Sequence, residues 1–527
     1  MFKEGSDRVR RLLALAASMV LTGALVMSAA AAPAVTPQRG GVMIIGHGTD
    51  AVILDSALAT DAPTFTILEH LVDTLFELTA EGKVRPRLAL SQSVSPDGKT
   101  WTFRLRQGVR FHDGTQFDAE AAKFNLERVL DPATRSPWRF LISRITSVAV
   151  VDSSTIRVVT DAPFAPLLAH LTHGGMGMQS PAAIRRLGAD YARQPVGTGV
   201  FRFKEWVRGD RVVVTRNDDF WGDKAFLDEV QFRVIPDDGA RLAALEAGSI
   251  HVAVRVPPRE IERLKTSTVL SVEVSTSLRT IFVAFNVTRP PFTDRRLRQA
   301  LNYAVNKRAI VASALAGTAR VSDAPIAPNV EGYSAVAGYD WDLERAEALL
   351  REAGYSRARP LRAVFHHPSG RYIRDAEIAA SIQGLARRVG IELELRTLEF
   401  GAYIALTARP QAQNDIQMYM LGWGTVTGDA DYGLYALFHS SQWPPAGFNR
   451  GFYKNERVDA LLDRGRVTID QSERDKIYAE AMKTITDDAA WLFLHSESQV
   501  TGVRSTAQGV IIHPAERVMF TRAWLRR

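Results

Sequence analysis

The sequence of 527 residues contains no cysteine. That absence excludes disulfide bonds, thiolate metal sites, cysteine nucleophiles and a lipid-modified N-terminal cysteine. A chain of this length can bury a large fraction of its surface, so it needs no covalent or metal cross-link in order to fold. We expect neither a metal site nor a cofactor.

Catalytic motifs are also missing. The chain has no G-x-S-x-G nucleophile elbow and no H-E-x-x-H zinc motif. Gly197 and Gly199 match neither a phosphate-binding loop nor a dinucleotide fingerprint, so they are better interpreted as tight-turn glycines. We therefore expect no catalytic residues, and a protein that binds rather than transforms its ligand.

Charge of one sign is not concentrated anywhere. The net charge is +7, and no block of lysine and arginine with interleaved aromatic residues occurs, so nucleic acid is not an expected partner. Hydrophobic residues make up 46% and charged residues 23%, which is ordinary for a globular protein and speaks against disorder.

The N-terminal segment resembles an export signal. A positive head with Lys3, Arg8, Arg10 and Arg11 precedes an apolar stretch over 12–26 and small residues over 28–32. This order predicts a signal peptide over residues 1–31. The alternative is a membrane anchor, because about 20 apolar residues span a bilayer. No later segment approaches that length, so we expect an exported, soluble mature chain.

Strands and helices alternate irregularly along the chain, which predicts an α/β architecture. The run 42–45 and the alternating pattern over 101–105 indicate strands, and Asp118 is expected to cap a helix. A helix over 375–389 ends at Gly390 and is followed by an alternating strand. Ligands in open α/β sheets lie beyond the carboxyl ends of such strands.

Six local runs carry a family resemblance. They are VSPDGKTWTFRLRQGVRFHDGT (94–115), DAEAAKFNLERVLDP (118–132), PVGTGVFRFKEW (195–206), RNDDFWGD (216–223), FNVTRPPFTDRRLRQALNYAVNKRAIV (285–311) and GWGTVTGDADYGLYALF (422–438). In this order and spacing they resemble the family 5 extracellular solute-binding proteins, which serve ABC importers of dipeptides, oligopeptides, nickel complexes and glutathione. The resemblance runs from about residue 40 to about residue 510.

The resemblance implies an α/β, two-lobed, type II periplasmic binding-protein fold with an extra subdomain in the first lobe and a hinge between the lobes. We place the first lobe at 36–279, its peripheral subdomain at about 67–190, the second lobe at 280–499, and the return to the first lobe at 500–527. Hinge crossings are expected at 275–284 and 496–504.

The implied function is capture of a peptide or peptide-like small solute in the periplasm and its delivery to ABC permease subunits, by a monomer. The alternatives are a periplasmic hydrolase and a chaperone-like peptide-binding protein. A zwitterionic peptide closed between two lobes needs both charged ends paired, because an isolated buried charge is very costly.

In dipeptide-binding members, the resemblance implies an arginine before the helix that ends at the Gly-Ile strand, and an aspartate three residues after a Gly-Trp pair. This sequence has Val426 at the second place, with acids at Asp429 and Asp431, and Arg371 lies two residues beyond the first place. The departure favours a different peptide-like solute, and 422–455 resembles the glutathione-binding branch.

The predicted ligand contacts are Arg371, Trp423, Thr425, Asp429, Asp431 and Trp443. All of them except Thr425 have a structural alternative. Arg371 could be a solvated loop residue, the two aspartates could form an acidic turn that caps the next helix, and the tryptophans could be core residues. His366 and His367 are adjacent and point to opposite faces of a strand, so we assign them no metal.

Overall fold

The computed structural model describes residues 36–526. The predicted signal peptide, 1–31, lies outside the described residues. The chain divides into Met1–Gln38 and Arg39–Arg527. In the first part, residues 36–38 are exposed and form no helix or strand. In the second part, none of the described helices has the length and apolar character needed to span a membrane.

The strands are β1 (Val42–His47), β2 (Phe76–Leu78), β3 (Val84–Pro86), β4 (Ala89–Val94), β5 (Thr100–Leu105), β6 (Ile145–Asp152), β7 (Thr155–Thr160), β8 (Phe201–Val207), β9 (Arg211–Arg216), β10 (Glu229–Val234), β11 (Val252–Val254), β12 (Leu270–Phe285), β13 (Arg320–Val321), β14 (Leu361–Pro368), β15 (Ile391–Leu398), β16 (Met418–Gly424), β17 (Trp491–Arg504), β18 (Ala507–Gln508), β19 (Ile511–His513), β20 (Arg517–Met519) and β21 (Trp524–Leu525).

The α-helices are α1 (Ala62–Leu71), α2 (Ala119–Leu130), α3 (Arg139–Ile142), α4 (Leu167–His170), α5 (Pro181–Leu187), α6 (Asp238–Glu246), α7 (Ile261–Leu264), α8 (Arg295–Ala304), α9 (Lys307–Ala314), α10 (Leu343–Glu352), α11 (Asp375–Arg387), α12 (Phe400–Thr407), α13 (Ala430–Phe438), α14 (Glu456–Val467) and α15 (Gln471–Asp487).

One large mixed sheet organises the fold. Its strand order is β15-β14-β16-β12-β17-β11-β1-β10-β9-β8, with β13 paired to β17 off this path. The two long central strands, β12 and β17, separate a first half-sheet (β11, β1, β10, β9 and β8) from a second half-sheet (β16, β14 and β15). The predicted hinge crossings fall within β12 and β17.

The pairing of the two central strands is interrupted in the middle. Thr276 pairs with Ser498 and Thr280 with Ser496, so three residues of β12 lie between two partners that are only two positions apart on β17. Such an irregularity bends a strand and re-aims its side chains. Here it places Arg279 at the edge of the cavity described below.

A second, smaller sheet has the antiparallel order β4-β5-β7-β6 and lies within the predicted peripheral subdomain. Helix α2 covers it, contacting β6 and β7. As predicted, Asp118 caps this helix, and its carboxylate accepts a hydrogen bond from the Ala121 N–H at 2.9 Å.

The core has two hydrophobic clusters, one on each face of β12. Side chains alternate across a strand with period two. Accordingly, Ile281, Val283 and Phe285 belong to one cluster, while Phe282 and Ala284 belong to the other. The second half of β12 is therefore buried on both sides, as expected for a strand that holds two layers together.

The predicted helices and strands of the second half are confirmed with small shifts at their ends. Asp294 and Asn306 cap α8 and α9. Helix α11 ends two residues before the predicted end, and Gly390 then adopts a φ of 90° before β15. Strands β14 and β15 pair in parallel across this helix, which forms a βαβ unit.

The glycines of PVGTGVF allow the backbone of this segment to lie close to the end of α1, rather than forming an isolated turn. The Gly199 N–H donates a hydrogen bond to the carbonyl of Leu71, the last residue of α1, at 2.9 Å. A Cβ atom on Gly199 would lie 2.4 Å from the carbonyl oxygen of His70. Only glycine allows this contact between the end of α1 and the segment before β8.

We expect Gly199→Ala to lower the free energy of unfolding by about 1–3 kcal/mol, because the backbone must shift to make room for the methyl group. A matched control is Gly384→Ala inside α11, where a Cβ would meet no atom within 4 Å. That change should raise the stability by about 0.5–1 kcal/mol. Urea unfolding measures both, and equal effects of the same sign would contradict the close-approach explanation.

Candidate functional site

A cavity of about 300 Å³ lies beyond the carboxyl ends of two strands of the second half-sheet. Strands β14 and β16 are parallel, so their carboxyl ends meet at the same edge. Arg371 follows the end of β14, and Trp423 lies at the end of β16. Both side chains line the cavity, at the place where α/β sheets bind ligands.

Aromatic rings from distant parts of the chain form one wall. Trp138 stacks on Phe448 with ring centroids 5.8 Å apart, and Trp423 lies 5.0 Å from Phe448 and 5.1 Å from Tyr432. The indole Nε1 of Trp423 is buried and has no hydrogen-bond partner among the described residues. The wall therefore offers flat apolar contact and one unused donor.

The Arg371 loop is held by the first residue of α11. The backbone N–H groups of Gly370, Arg371 and Tyr372 donate hydrogen bonds to the Asp375 carboxylate at 3.2, 2.9 and 3.1 Å. The Arg255 guanidinium donates to the Arg371 carbonyl at 3.1 Å. These contacts fix the backbone and leave the Arg371 side chain directed along the cavity wall.

The Arg371 guanidinium lies over the rings of Tyr372 and Phe400, at 5.0 and 5.3 Å from their centroids. Burial lowers its pKa, and the nearby Arg279 lowers it further. Its Nε is buried without a hydrogen-bond partner. No carboxylate within residues 36–526 forms an ion pair with it, so it is a cation that a ligand anion would stabilise.

Three further arginines line the cavity, and two of them are neutralised. Arg279 donates to Glu516, with Nη2 and Oε2 2.5 Å apart, and Arg517 Nε donates to Glu69 Oε1 at 2.9 Å. Arg450 differs, since in the described part of the chain its guanidinium pairs with no carboxylate. Its Nη1 donates only to the Thr407 hydroxyl, at 2.8 Å. The cavity therefore carries two arginines that form no ion pair within the described residues.

Asp61, on the opposite wall, is the one carboxylate among the described residues that lines this cavity. It caps α1, accepting hydrogen bonds from the Thr64 N–H at 2.9 Å and the Thr64 hydroxyl at 2.8 Å. Burial raises its pKa against the effect of these bonds. A ligand ammonium would suit this place, since it would pair a buried carboxylate.

A smaller cavity of about 90 Å³ lies beside the central strands and shares Arg371 with the larger one. Glu497 of β17 lines it, accepting a hydrogen bond from the Ile373 N–H at 3.3 Å. Burial raises the pKa of Glu497 to about 7, and Glu516 adds to the rise while Arg279 and Arg371 oppose it. The Arg371 loop is thus tied directly to a central strand.

The predicted contacts Asp429 and Asp431 do not line the cavity. The Asp429 carboxylate makes two hydrogen bonds with the Arg474 guanidinium, at 2.7 and 2.8 Å, and also caps α13. Asp431 lies 3.2 Å from His170 Nε2 and 3.4 Å from Arg466 Nε, and is fully buried. The acidic turn that caps the next helix is therefore the role that the geometry supports.

Nearby cationic groups explain why the buried carboxylate of Asp431 stays ionised. Burial alone would raise its pKa, but Arg466 and then His170 outweigh that effect, so the pKa lies below its ordinary value. His170 belongs to α4 and Arg466 to α14. The carboxylate therefore links an early segment of the chain to a late one.

Thr425 and Trp443 also lie off the cavity wall. The Thr425 hydroxyl is buried against Gly433, in α13. The Trp443 indole donates to the Tyr453 carbonyl at 3.0 Å, and its ring meets Phe452 edge-on at 5.6 Å. Both side chains pack within the protein. Of the six predicted ligand residues, the structure brings Arg371 and Trp423 together on the cavity.

Several cavity residues were missed by the sequence analysis, among them Asp61, Trp138, Tyr432, Phe448 and Arg450. A signal existed for some of them. Asp61 precedes Ala-Pro, the pattern of a helix N-terminus. Phe448 and Arg450 lie in the segment 422–455, whose resemblance to the glutathione-binding branch was noted above.

Comparison with known proteins identifies the family. The model of the bacterial extracellular solute-binding proteins, family 5 (middle part), matches residues 83–445. This chain belongs to that family. The predicted resemblance is confirmed, and the comparisons support the solute-binding prediction rather than the hydrolase or chaperone-like alternatives.

Members of family 5 with similar sequences include two glutathione-binding proteins. The GsiB protein of Pectobacterium atrosepticum is 32% identical over 477 residues, which cover 89% of this chain and 91% of the relative. GsiB of Escherichia coli K12 is 30% identical over 488 residues, 92% of this chain and 94% of the relative.

A solved structure in the family shows the same fold. The ABC transporter-associated periplasmic binding protein DppA of Helicobacter pylori, in complex with the peptide STSA, has a TM-score of 0.85 at 29% identity, with 93% of this chain and 99% of that chain covered. The predicted fold class, a two-lobed periplasmic binding-protein fold, is confirmed.

We expect Asp429→Asn to lower the free energy of unfolding by about 3–5 kcal/mol, because it leaves the buried Arg474 cation unpaired. Peptide affinity of the folded protein should stay unchanged. Chemical unfolding and calorimetric titration measure the two effects. Asp475→Asn, on the exposed face of α15, is the control and should stay within about 0.5 kcal/mol of wild type. An intact fold with more than tenfold weaker binding would restore Asp429 as a ligand contact.

Proposed function

We propose that this protein captures a peptide or peptide-like small solute with a free carboxylate, in the periplasm, and delivers it to the permease subunits of an ABC importer. It does so as a monomer that needs no cofactor. The observation that carries the proposal is Arg371, a half-buried arginine on the cavity wall whose guanidinium forms no ion pair among the described residues.

The relatives support the kind of solute. Two curated relatives are glutathione-binding proteins, and the structural relative from Helicobacter pylori holds a peptide. A peptide carries a carboxylate and an ammonium. The cavity offers Arg371 on one side and Asp61 on the other, so each ligand charge meets a partner of opposite sign when the cavity closes.

Capture and release require the two lobes to move. The central strands β12 and β17 connect the half-sheets, and their interrupted pairing at 276–280 provides a place for bending. Ligand groups that contact both walls at once stabilise the closed form, because only that form pairs both ligand charges. A permease that opens the cavity would then release the solute.

We expect Arg371→Gln to weaken the binding of peptides with a free C-terminal carboxylate by about 10- to 100-fold, because a hydrogen bond to a charged group contributes about 1.5–3 kcal/mol. The same peptides with an amidated C-terminus should bind the variant and the wild type equally. Thermal stability without ligand should not fall, because the change removes a half-buried cation that forms no ion pair among the described residues.

Isothermal titration with di- and tripeptides, glutathione and their amides measures these effects. Arg374→Gln is the matched control in the same loop, because Arg374 pairs with Glu377 at 2.8 Å and does not line the cavity. Equal losses on free and amidated ligands would remove Arg371 from the binding site and overturn its proposed role.

A further inference from the structure

One face of helix α12 forms a wall of the cavity. Phe400, Ile404 and Ala408 all line the cavity, and their spacing of four places them on the same side of the helix. The Arg371 guanidinium lies 5.3 Å from the Phe400 ring, beside the first turn. The Arg450 guanidinium donates to Thr407, in the last turn. Two cations therefore lie at opposite ends of one apolar wall.

Helix α12 spans the interval between the two contacts. Phe400 and Thr407 are the first and last residues of α12. At a rise of 1.5 Å per residue, the two ends are roughly 10 Å apart. An extended peptide advances about 3.3–3.6 Å per residue, so this distance matches the length of roughly three residues.

Arg450 is as buried and uncompensated as a ligand-binding arginine would be. Its relative exposure is 8%, and its Nε has no hydrogen-bond partner in residues 36–526. Burial lowers its pKa, and the groups around it are the phenols of Tyr419, Tyr372 and Tyr403. The Phe448 ring lies 6.0 Å from its guanidinium carbon, the same ring that packs on Trp423.

A purely structural role explains this arrangement poorly. Other buried arginines of the chain are matched by carboxylates or by several carbonyls, as with Arg474 and Asp429, or Arg298 and the carbonyls of Phe292, Asp488 and Ala489. Arg450 has one neutral hydroxyl. A buried cation with so little compensation is costly, and an anion entering the cavity would remove that cost.

We propose that Arg450 is a second anion-binding residue, so that the cargo is a peptide-like solute with two carboxylates and one ammonium group. This inference rests on the proposed function and narrows its substrate class. One carboxylate pairs with Arg371, the other with Arg450, and the ammonium pairs with Asp61 on the facing wall. A simple dipeptide has a single terminal carboxylate and leaves one of the two cations unpaired.

Glutathione is the probe, together with two derivatives in which one carboxylate is blocked, the glycyl ethyl ester and the γ-glutamyl α-amide. We expect the wild-type protein to bind glutathione at least tenfold more tightly than either derivative. Arg450→Gln should weaken the binding of glutathione and of one derivative by about 10- to 100-fold. The affinity for the other derivative, in which the carboxylate that pairs with Arg450 is already blocked, should stay unchanged. Arg371→Gln should show the complementary pattern.

Two further variants keep the test decisive. Arg450→Lys retains the positive charge but lacks the planar guanidinium. We expect its affinity for glutathione to lie between that of wild type and that of Arg450→Gln, and this variant remains a test if the glutamine variant folds poorly. Arg409→Gln changes an exposed arginine two residues after the end of α12, and the variant should bind all three probes like wild type.

The inference is overturned if Arg450→Gln binds all three probes like wild type, or weakens all three equally. The same conclusion follows if the wild-type protein binds a mono-carboxylate peptide as tightly as glutathione. In those cases the peptide titrations with Arg371→Gln still decide the proposed function independently. If wild type binds no free-carboxylate peptide and no glutathione probe, both proposals fall together.

Discussion

Arg371 and Arg450 place two positive charges on the wall of the cavity, and no carboxylate of residues 36–526 forms an ion pair with either. Burying a charge without a partner is among the most costly things a fold can do. The other two arginines that line the cavity form ion pairs, Arg279 with Glu516 and Arg517 with Glu69. The two arginines without an ion pair therefore favour a ligand that carries negative charges.

The same constraint links the cavity to the central strands. Glu497 on β17 contacts the backbone of the Arg371 loop, and Arg279 emerges from the irregular segment of β12. Charges that meet the ligand are therefore attached to the strands that connect the two half-sheets. Under the proposed function, a ligand that binds at Arg371 would act on the position where the two central strands lose their regular pairing, and this would give closure a mechanical origin.

The sequence predicted the fold well, because its signals are local. Helix caps such as Asp118 and Asn306, the Gly390 stop and the alternating strands depend on neighbours a few residues away. The site was predicted less well. Arg371 and Trp423 follow the carboxyl ends of strands, a rule that sequence can apply. The pairing of Asp429 with Arg474, 45 residues later, and the presence of Asp61 and Arg371 on one cavity depend on distant segments that no local pattern reveals.

The central claim is that two uncompensated cations recognise a dianionic peptide-like ligand. A crystal structure of the protein grown with glutathione tests it most directly. The account predicts one ligand carboxylate within about 3 Å of the Arg371 guanidinium, the other equally close to Arg450, and the ammonium at Asp61. Glutathione bound with both carboxylates facing solvent, or lodged in another cavity while Arg371 and Arg450 stay unpaired, would contradict it.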